Sequence, residues 1–291
     1  MKYKVIHRTV YEYREPVSGY HSVACLYPRP TPGQVCNAFE LKIIPAPAEV
    51  VGRVDFFGNQ VHYFSIQVPH RKLVVEAQSR VENNFSEPEL HLHSSYACRE
   101  VRALFQRDLT IKSEVLQYLL PSPFVQWDEE VQDFASTCFA DDQPLYEGIR
   151  QLCEKIYKEF DFIPEATTVH TPLKTVLREK KGVCQDFSHL ALAGIRSMGF
   201  AARYVSGYLE TLPPPGREKL QGSDASHAWI SAYVPGLGWC DFDPTNNVVP
   251  GQRHITTAWG RDYSDVPPLK GILLSSGQQK LKVEVDVVPV G

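Results

Sequence analysis

The stretch Gly182-Val183-Cys184-Gln185-Asp186-Phe187-Ser188-His189-Leu190-Ala191-Leu192-Ala193-Gly194-Ile195-Arg196-Ser197-Met198-Gly199 decides the fold. Val183, Phe187, Leu190, Ala191, Gly194, Ile195 and Met198 recur at helical spacing and predict an amphipathic helix, with Gly199 placed to end it. Cys184 falls in its first turn. Amides there lack intrahelical acceptors and carry partial positive charge, which favours a thiolate and offers donors to an oxyanion. A buried cysteine opening a core helix is the plainer alternative, and position alone leaves both open.

Upstream, Leu145, Ile149, Leu152, Ile156 and Phe160 mark a second helical face, with Pro144 where a first-turn proline is tolerated. Downstream, residues 202–208, 227–233 and 238–243 read as strands, so a helix feeding an antiparallel sheet predicts an α+β domain. The N-terminal stretch changes period: Tyr3, Val5, His7, Thr9, Tyr11 and Tyr13 fall on one face, and the alternation returns over 39–43 and 73–82. Gly58-Asn59, between Asp55-Phe56-Phe57 and Val61–Ile66, predicts a two-residue hairpin. The expected organisation is an antiparallel β-sandwich over 1–83, a connector over 84–125, an α+β core over 126–265 and a terminal segment over 266–291. The strand Leu281–Val287, apolar on odd and charged on even positions, is expected to return to the N-terminal strands and cover an edge.

The nearest imidazole to Cys184, that of His189, lies five residues on and roughly 140° around the helix axis, so it reads as a core histidine. Ser188 shares the cysteine's face, and packing is the default for a small helical serine. His227, in Asp224-Ala225-Ser226-His227-Ala228-Trp229, begins an apolar strand and can reach from sheet to helix. A base needs a group that fixes its tautomer and supports its charged form. Asp243 and Asp241, in Trp239-Cys240-Asp241-Phe242-Asp243, both qualify, because strict alternation puts them on one face.

The segments Gly182–Leu190, Ser226–Trp229 and Gly238-Trp239-Cys240-Asp241-Phe242-Asp243-Pro244-Thr245-Asn246-Asn247 together resemble the core of bacterial transglutaminase-like proteins, a branch of the papain-like cysteine enzymes. Thr9–Tyr13, Pro28–Thr31 and Phe57-Gly58-Asn59 resemble the β domain that precedes that core, and Trp259–Val266 resembles its C-terminal segment. The resemblance implies a papain-like core behind a β-sandwich. It implies attack on an amide by Cys184, proton transfer by His227 and orientation of His227 by Asp243 in preference to Asp241. Animal members add a tryptophan upstream of the cysteine as oxyanion donor. Here Phe160 and Phe162 occupy that region and neither can donate, which leaves Gln185 as a candidate.

The chain has 291 residues, 43% of them apolar, and a formal charge of −4 without a long basic run, so nucleic acid is not an expected partner. No segment offers ~18 uninterrupted apolar residues, and the first residues lack a secretory apolar stretch, so the expectation is a cytoplasmic protein with no membrane contact. Seven cysteines without a Cys-x-x-Cys pair speak against a disulfide framework and a structural zinc site. His91-Leu92-His93 with Cys98 has some ligand character, but histidines in a polar connector are usually solvated. No cofactor or metal is expected. The expected partner is a protein or peptide amide that forms a thioester on Cys184, resolved by an amine (cross-linking) or by water (amidase or peptidase activity). No residue pattern marks an amine site, so hydrolysis stands level with transfer. The alternative from another class is a catalytically silent binding protein that retains the fold.

Overall fold

The computed structural model describes residues 1–85, 96–211, 225–274 and 277–290. Strands β1 (Lys2–Val17), β2 (Tyr20–Ala24), β3 (Gln34–Ile44), β4 (Glu49–Val54), β5 (Gln60–Ile66) and β6 (His70–Asn83) come first, and β13 (Leu269–Leu273) and β14 (Gln279–Pro289) close the chain. They form two antiparallel sheets, ordered β14-β1-β6-β3 and β13-β2-β5-β4. Inward residues of the sheets, among them Tyr13, Tyr20, Phe64, Ile66, Leu73 and Val75, fill the space between them. The last strand pairs with the first from Tyr3 opposite Pro289 to Tyr13 opposite Gln279.

One turn differs from its sequence reading. Asp55-Phe56-Phe57 is not strand: β4 ends at Val54, and residues 55–59 form the loop. The Asp55 carboxylate draws in the amides of Phe57 (2.9 Å) and Asn59 (2.7 Å), and this local bonding wins over continued pairing. Gly58 supplies the positive φ of +78°.

Between the two strand groups lie α1 (Cys98–Arg107), α2 (Leu109–Val115), α3 (Glu129–Ser136), α4 (Leu145–Glu159), β7 (Asp161–Phe162), α5 (Leu173–Glu179), β8 (Lys181–Gly182), α6 (Cys184–Ser197), β9 (Ala202–Leu209), β10 (Ala225–Val234), β11 (Gly238–Phe242) and β12 (His254–Gly260). The four longer strands make an antiparallel sheet ordered β11-β10-β9-β12. The part of the expected connector that is described does more than link: Val101, Phe105, Val115, Tyr118 and Val125 are buried in the same core as α4 and α6. His91 and His93 lie outside the described residues, as do positions 212–224, the proline-rich stretch before His227.

Helix α6 is buried all round rather than along one stripe. Every residue from Asp186 to Arg196 is buried, because α3, α4 and α5 pack on it from one side and β9 and β10 from the other. Small Ala191, Ala193 and Gly194 allow the close approach, and the polar Arg196 is satisfied by the carbonyls of Ala202 (2.8 Å), Leu120 (3.2 Å) and Arg261. Among the described residues no helix is long and apolar enough to cross a membrane.

Side-chain amides join the sandwich to β12, the edge of the core sheet. An edge strand bares a row of N–H and C=O groups. Asn83 donates to the carbonyls of Gln252 (3.1 Å) and His254 (2.8 Å). Gln34 donates to the carbonyl of Thr256 (2.7 Å) and accepts from its amide (2.9 Å). Asn59 does the same with Trp259, at 2.9 and 3.0 Å. All three amides are buried, so each bond forms away from competing water.

Candidate active site

The chain enters α6 through β8, which pairs in parallel with β7, so the approach to Cys184 is held on one side by Asp161-Phe162. Asp186 turns back to accept the Val183 amide (2.9 Å) and also accepts the Thr167 hydroxyl (2.6 Å). This fold-back is possible because residue 182 is glycine: a Cβ there would sit 2.9 Å from the Asp186 carboxylate. Cys184 is the first helical residue, partly buried, and its own amide belongs to the set without an intrahelical acceptor.

His227 stands on β10, opposite Gly207 of β9, and its Nε2 lies 2.7 Å from Asp243 Oδ2. Cys184 neighbours the same ring and acts on its charge. Burial disfavours a charged ring at His227, but the hydrogen bonds to Asp243 and Cys184 and the charges of both outweigh it, raising its pKa to about 10. The structure thus brings together all three residues singled out in the sequence.

Asp243 follows the end of β11 and is bridged to Val248, which turns its side chain under the histidine. Its Oδ1 accepts the amides of Thr245 (2.9 Å) and Asn246 (3.2 Å). Its Oδ2 accepts from His227, from the Asn246 side chain (2.7 Å) and from His254 Nε2 (3.2 Å). Burial pushes this carboxyl up, but the bonds from His227, His254 and Asn246 and the positive ring of His227 hold it well below the usual carboxylate range. Asp241, by contrast, accepts the indole N–H of Trp229 at 3.1 Å.

His189 is buried, its ring stacked on Phe124 at 5.7 Å, and its Nε2 accepts the Tyr263 amide at 3.2 Å. Burial lowers its pKa to about 4, so it stays neutral in the core. Ser188 is fully buried. Arg203, Tyr204 and Tyr208 are packed: the Arg203 guanidinium lies over the Trp239 and Trp259 rings at 4.2 and 3.7 Å, and the Tyr208 hydroxyl meets His7 Nδ1 at 3.2 Å. Phe160 and Phe162 both meet Phe187 edge-on, and neither offers a donor.

Sequence reasoning missed His254 and left Asn246 without a role. Nothing in the spacing of His254 marks it, since its place depends on β12 pairing with β9. His227, Asp243 and His254 offer ligand atoms within 4.8 Å of one another, a candidate metal set. The donor chemistry does not fit. Nδ1 of His254 accepts the Gly251 amide (3.3 Å), so its Nε2 bears the proton and presents no lone pair toward Asp243. The Asn246 amide fills the remaining approach to that oxygen. The set is a hydrogen-bonded carboxylate, not a metal centre.

The raised pKa of His227 has a signed consequence for stability. Its contribution is fully present below the unfolded value of about 6.5 and is lost as pH climbs from there to about 10. Thermal melts from pH 6 to 10 should show the wild type losing stability over that window and His227→Phe losing less. Parallel curves for the two would remove the charged-ring assignment.

A helix that opens on a cysteine and packs against an antiparallel sheet carrying His and Asp, behind a β-sandwich, defines the transglutaminase-like class of fold. Residues 132–244 match the model of the transglutaminase-like superfamily, and residues 3–82 match that of the bacterial transglutaminase-like N-terminal region. The chain belongs to the bacterial transglutaminase-like family. It is 38% identical over 295 residues to an uncharacterized protein of Mycobacterium tuberculosis, covering 99% of this chain and 93% of that one. An uncharacterized protein of Mycobacterium leprae is 33% identical over 287 residues, covering 98% and 97%. Among solved structures, a candidate cysteine protease from Cytophaga hutchinsonii superposes with a TM-score of 0.78 at 22% identity, covering all of this chain and 92% of that one, a likeness of fold.

Proposed function

We propose that the protein is a cysteine acyl-transfer enzyme acting on an amide of a protein or peptide, with Cys184 as nucleophile, His227 as base and acid, and Asp243 as the group that orients His227. One observation carries this reading: a single imidazole bonded at 2.7 Å to a buried carboxylate and influenced by the thiol at a helix start.

The Cys184 sulfur attacks the amide carbonyl carbon, and a C–S bond forms as the carbonyl pair moves onto oxygen. The amide of Cys184 and the helix N-terminus face that developing charge. When the tetrahedral species collapses, the C–N bond breaks and the imidazolium proton of His227 passes to the leaving amine, leaving a thioester. Water or a second amine then attacks the thioester and gives its proton to His227, and the thiolate departs. Asp243 keeps the ring in the tautomer and orientation both halves need. The acceptor decides whether the outcome is hydrolysis or transfer, and the acylation machinery is common to both. Seven free cysteines suit a reducing compartment, and a cytoplasmic location is part of the same proposal.

The test is intact-mass detection of an adduct on Cys184 in separate samples, one exposed to iodoacetamide and one to peptide amides, the latter with and without a primary amine. Wild type should gain one label at neutral pH and accumulate a thioester, and Cys184→Ala should gain neither. Equal labelling of the two proteins, or a thiol that reacts only at high pH, points to a silent binding protein.

A further inference from the structure

We infer that His254 is a positioning residue for the triad, and that the strand-rich N-terminal region takes part in catalysis by fixing His254 through Asn83. The inference rests on the triad reading above. His254 is buried and bonds the same oxygen of Asp243 that His227 uses. Its tautomer is set, because the Gly251 amide donates to Nδ1 and so places the proton on Nε2, facing the carboxylate. A neutral donor there steadies the carboxylate without adding a second cation to compete with His227.

The bonds divide the work. The backbone amides of Thr245 and Asn246 pin Oδ1, while His254 and the Asn246 side chain pin Oδ2, so the carboxylate has no free rotation left. The His254 ring is itself wedged edge-on by Trp229, with centroids 5.3 Å apart and planes at 80°. The indole N–H of Trp229 is tied to Asp241, which gives that second aspartate a part in holding the ring. Among the described residues, the charged and titratable groups facing His254 are Asp243 and His227, with Asp241 behind Trp229.

The backbone of His254 is held from outside the core. It begins β12, an edge strand, and its carbonyl accepts from Asn83 at the end of β6 (2.8 Å), while Gln34 and Asn59 fix the same strand further on. A movement of the sandwich relative to β12 therefore moves the histidine that sets Asp243. The sandwich acts as a brace on the site, through three amides with no chemistry of their own.

Three variants test this: His254→Phe keeps a ring and removes the donor, His254→Gln keeps a donor at similar reach, and Asn83→Ala removes the bond to the His254 carbonyl, with those to Gln252 and Phe85, and leaves every side chain around Asp243 in place. The readout is the pH dependence of Cys184 alkylation by iodoacetamide, with Cys184→Ala as background. In His254→Phe a poorly oriented Asp243 supports the imidazolium less, so the rising limb should move up by about one pH unit and the rate at pH 6 fall about tenfold. His254→Gln should recover most of the loss, and Asn83→Ala should shift in the same direction by less. A merely structural role would lower the melting temperature and leave the limb where it is. Folded His254→Phe with a wild-type profile overturns the inference. Should that variant not fold, an unshifted profile in Asn83→Ala overturns it. Failure of the triad reading looks different: wild type and Cys184→Ala would then label alike.

Discussion

Asp243→Ala is expected to lower acylation of Cys184 by about 10⁴-fold, the scale on which a base loses its orienting carboxylate, and to destabilise the fold by about 3–5 kcal/mol. The two losses have one origin. Asp243 is fully buried and accepts bonds from His227, His254, the Asn246 side chain and two backbone amides. Removing the carboxylate strands all of these donors where water cannot replace the acceptor, and leaves the ring of His227 without its counter-charge. Asp243→Asn separates the effects. It keeps the shape and one acceptor oxygen, so more of the stability returns, but it removes the charge and presents an amide group to facing donors, so the activity loss should persist. Urea unfolding and the rate of alkylation measured on the same samples provide the check. Alanine and wild type unfolding together and labelling together would take Asp243 out of the site.

How much of this was legible in the sequence depends on the distance over which each residue acts. Helix α6 and strands β9 to β11 follow from local periodicity, and Cys184, His227 and Asp243 sit in recognisable motifs on them. Periodicity did not separate Asp243 from Asp241, since both lie on one face of a regular strand. The structure separates them because β11 stops at Phe242: Asp243 enters a turn and points to His227, while Asp241 stays in register and meets Trp229. Strand β4 escaped notice because all of its residues are exposed, and without a buried face the alternation has nothing to encode. The bonds that His254, Gln34, Asn59 and Asn83 make were invisible for another reason. Their partners lie far along the chain, 11 residues away for His254 and Asp243 and 171 for Asn83 and His254, and a polar residue carries no local mark of a distant acceptor.

Gly207→Ala should cost more than about 4 kcal/mol and yield little folded protein, the class of effect reserved for overpacking that no rotamer relieves. Gly207 lies in β9 between His227 of β10 and Thr256 of β12, where the two site-bearing strands flank one residue. A Cβ there would stand 2.2 Å from the carbonyl oxygen of Ile255 and 2.5 Å from the Trp229 ring. The carbonyl belongs to β12 and moves only if β9 and β12 part, and Trp229 is fully buried and has nowhere to turn. Either escape displaces His254, whose ring rests on Trp229 and whose backbone precedes Ile255. Gly238→Ala is the control: its φ of +81° makes alanine strained, but nothing lies within 4 Å of the new Cβ, so about 1–2 kcal/mol is expected. Chemical denaturation of both variants decides the matter. If Gly207→Ala unfolds no more readily than Gly238→Ala, then Trp229 does not lie tightly across β9, and the wedge that holds His254 against Asp243 is absent.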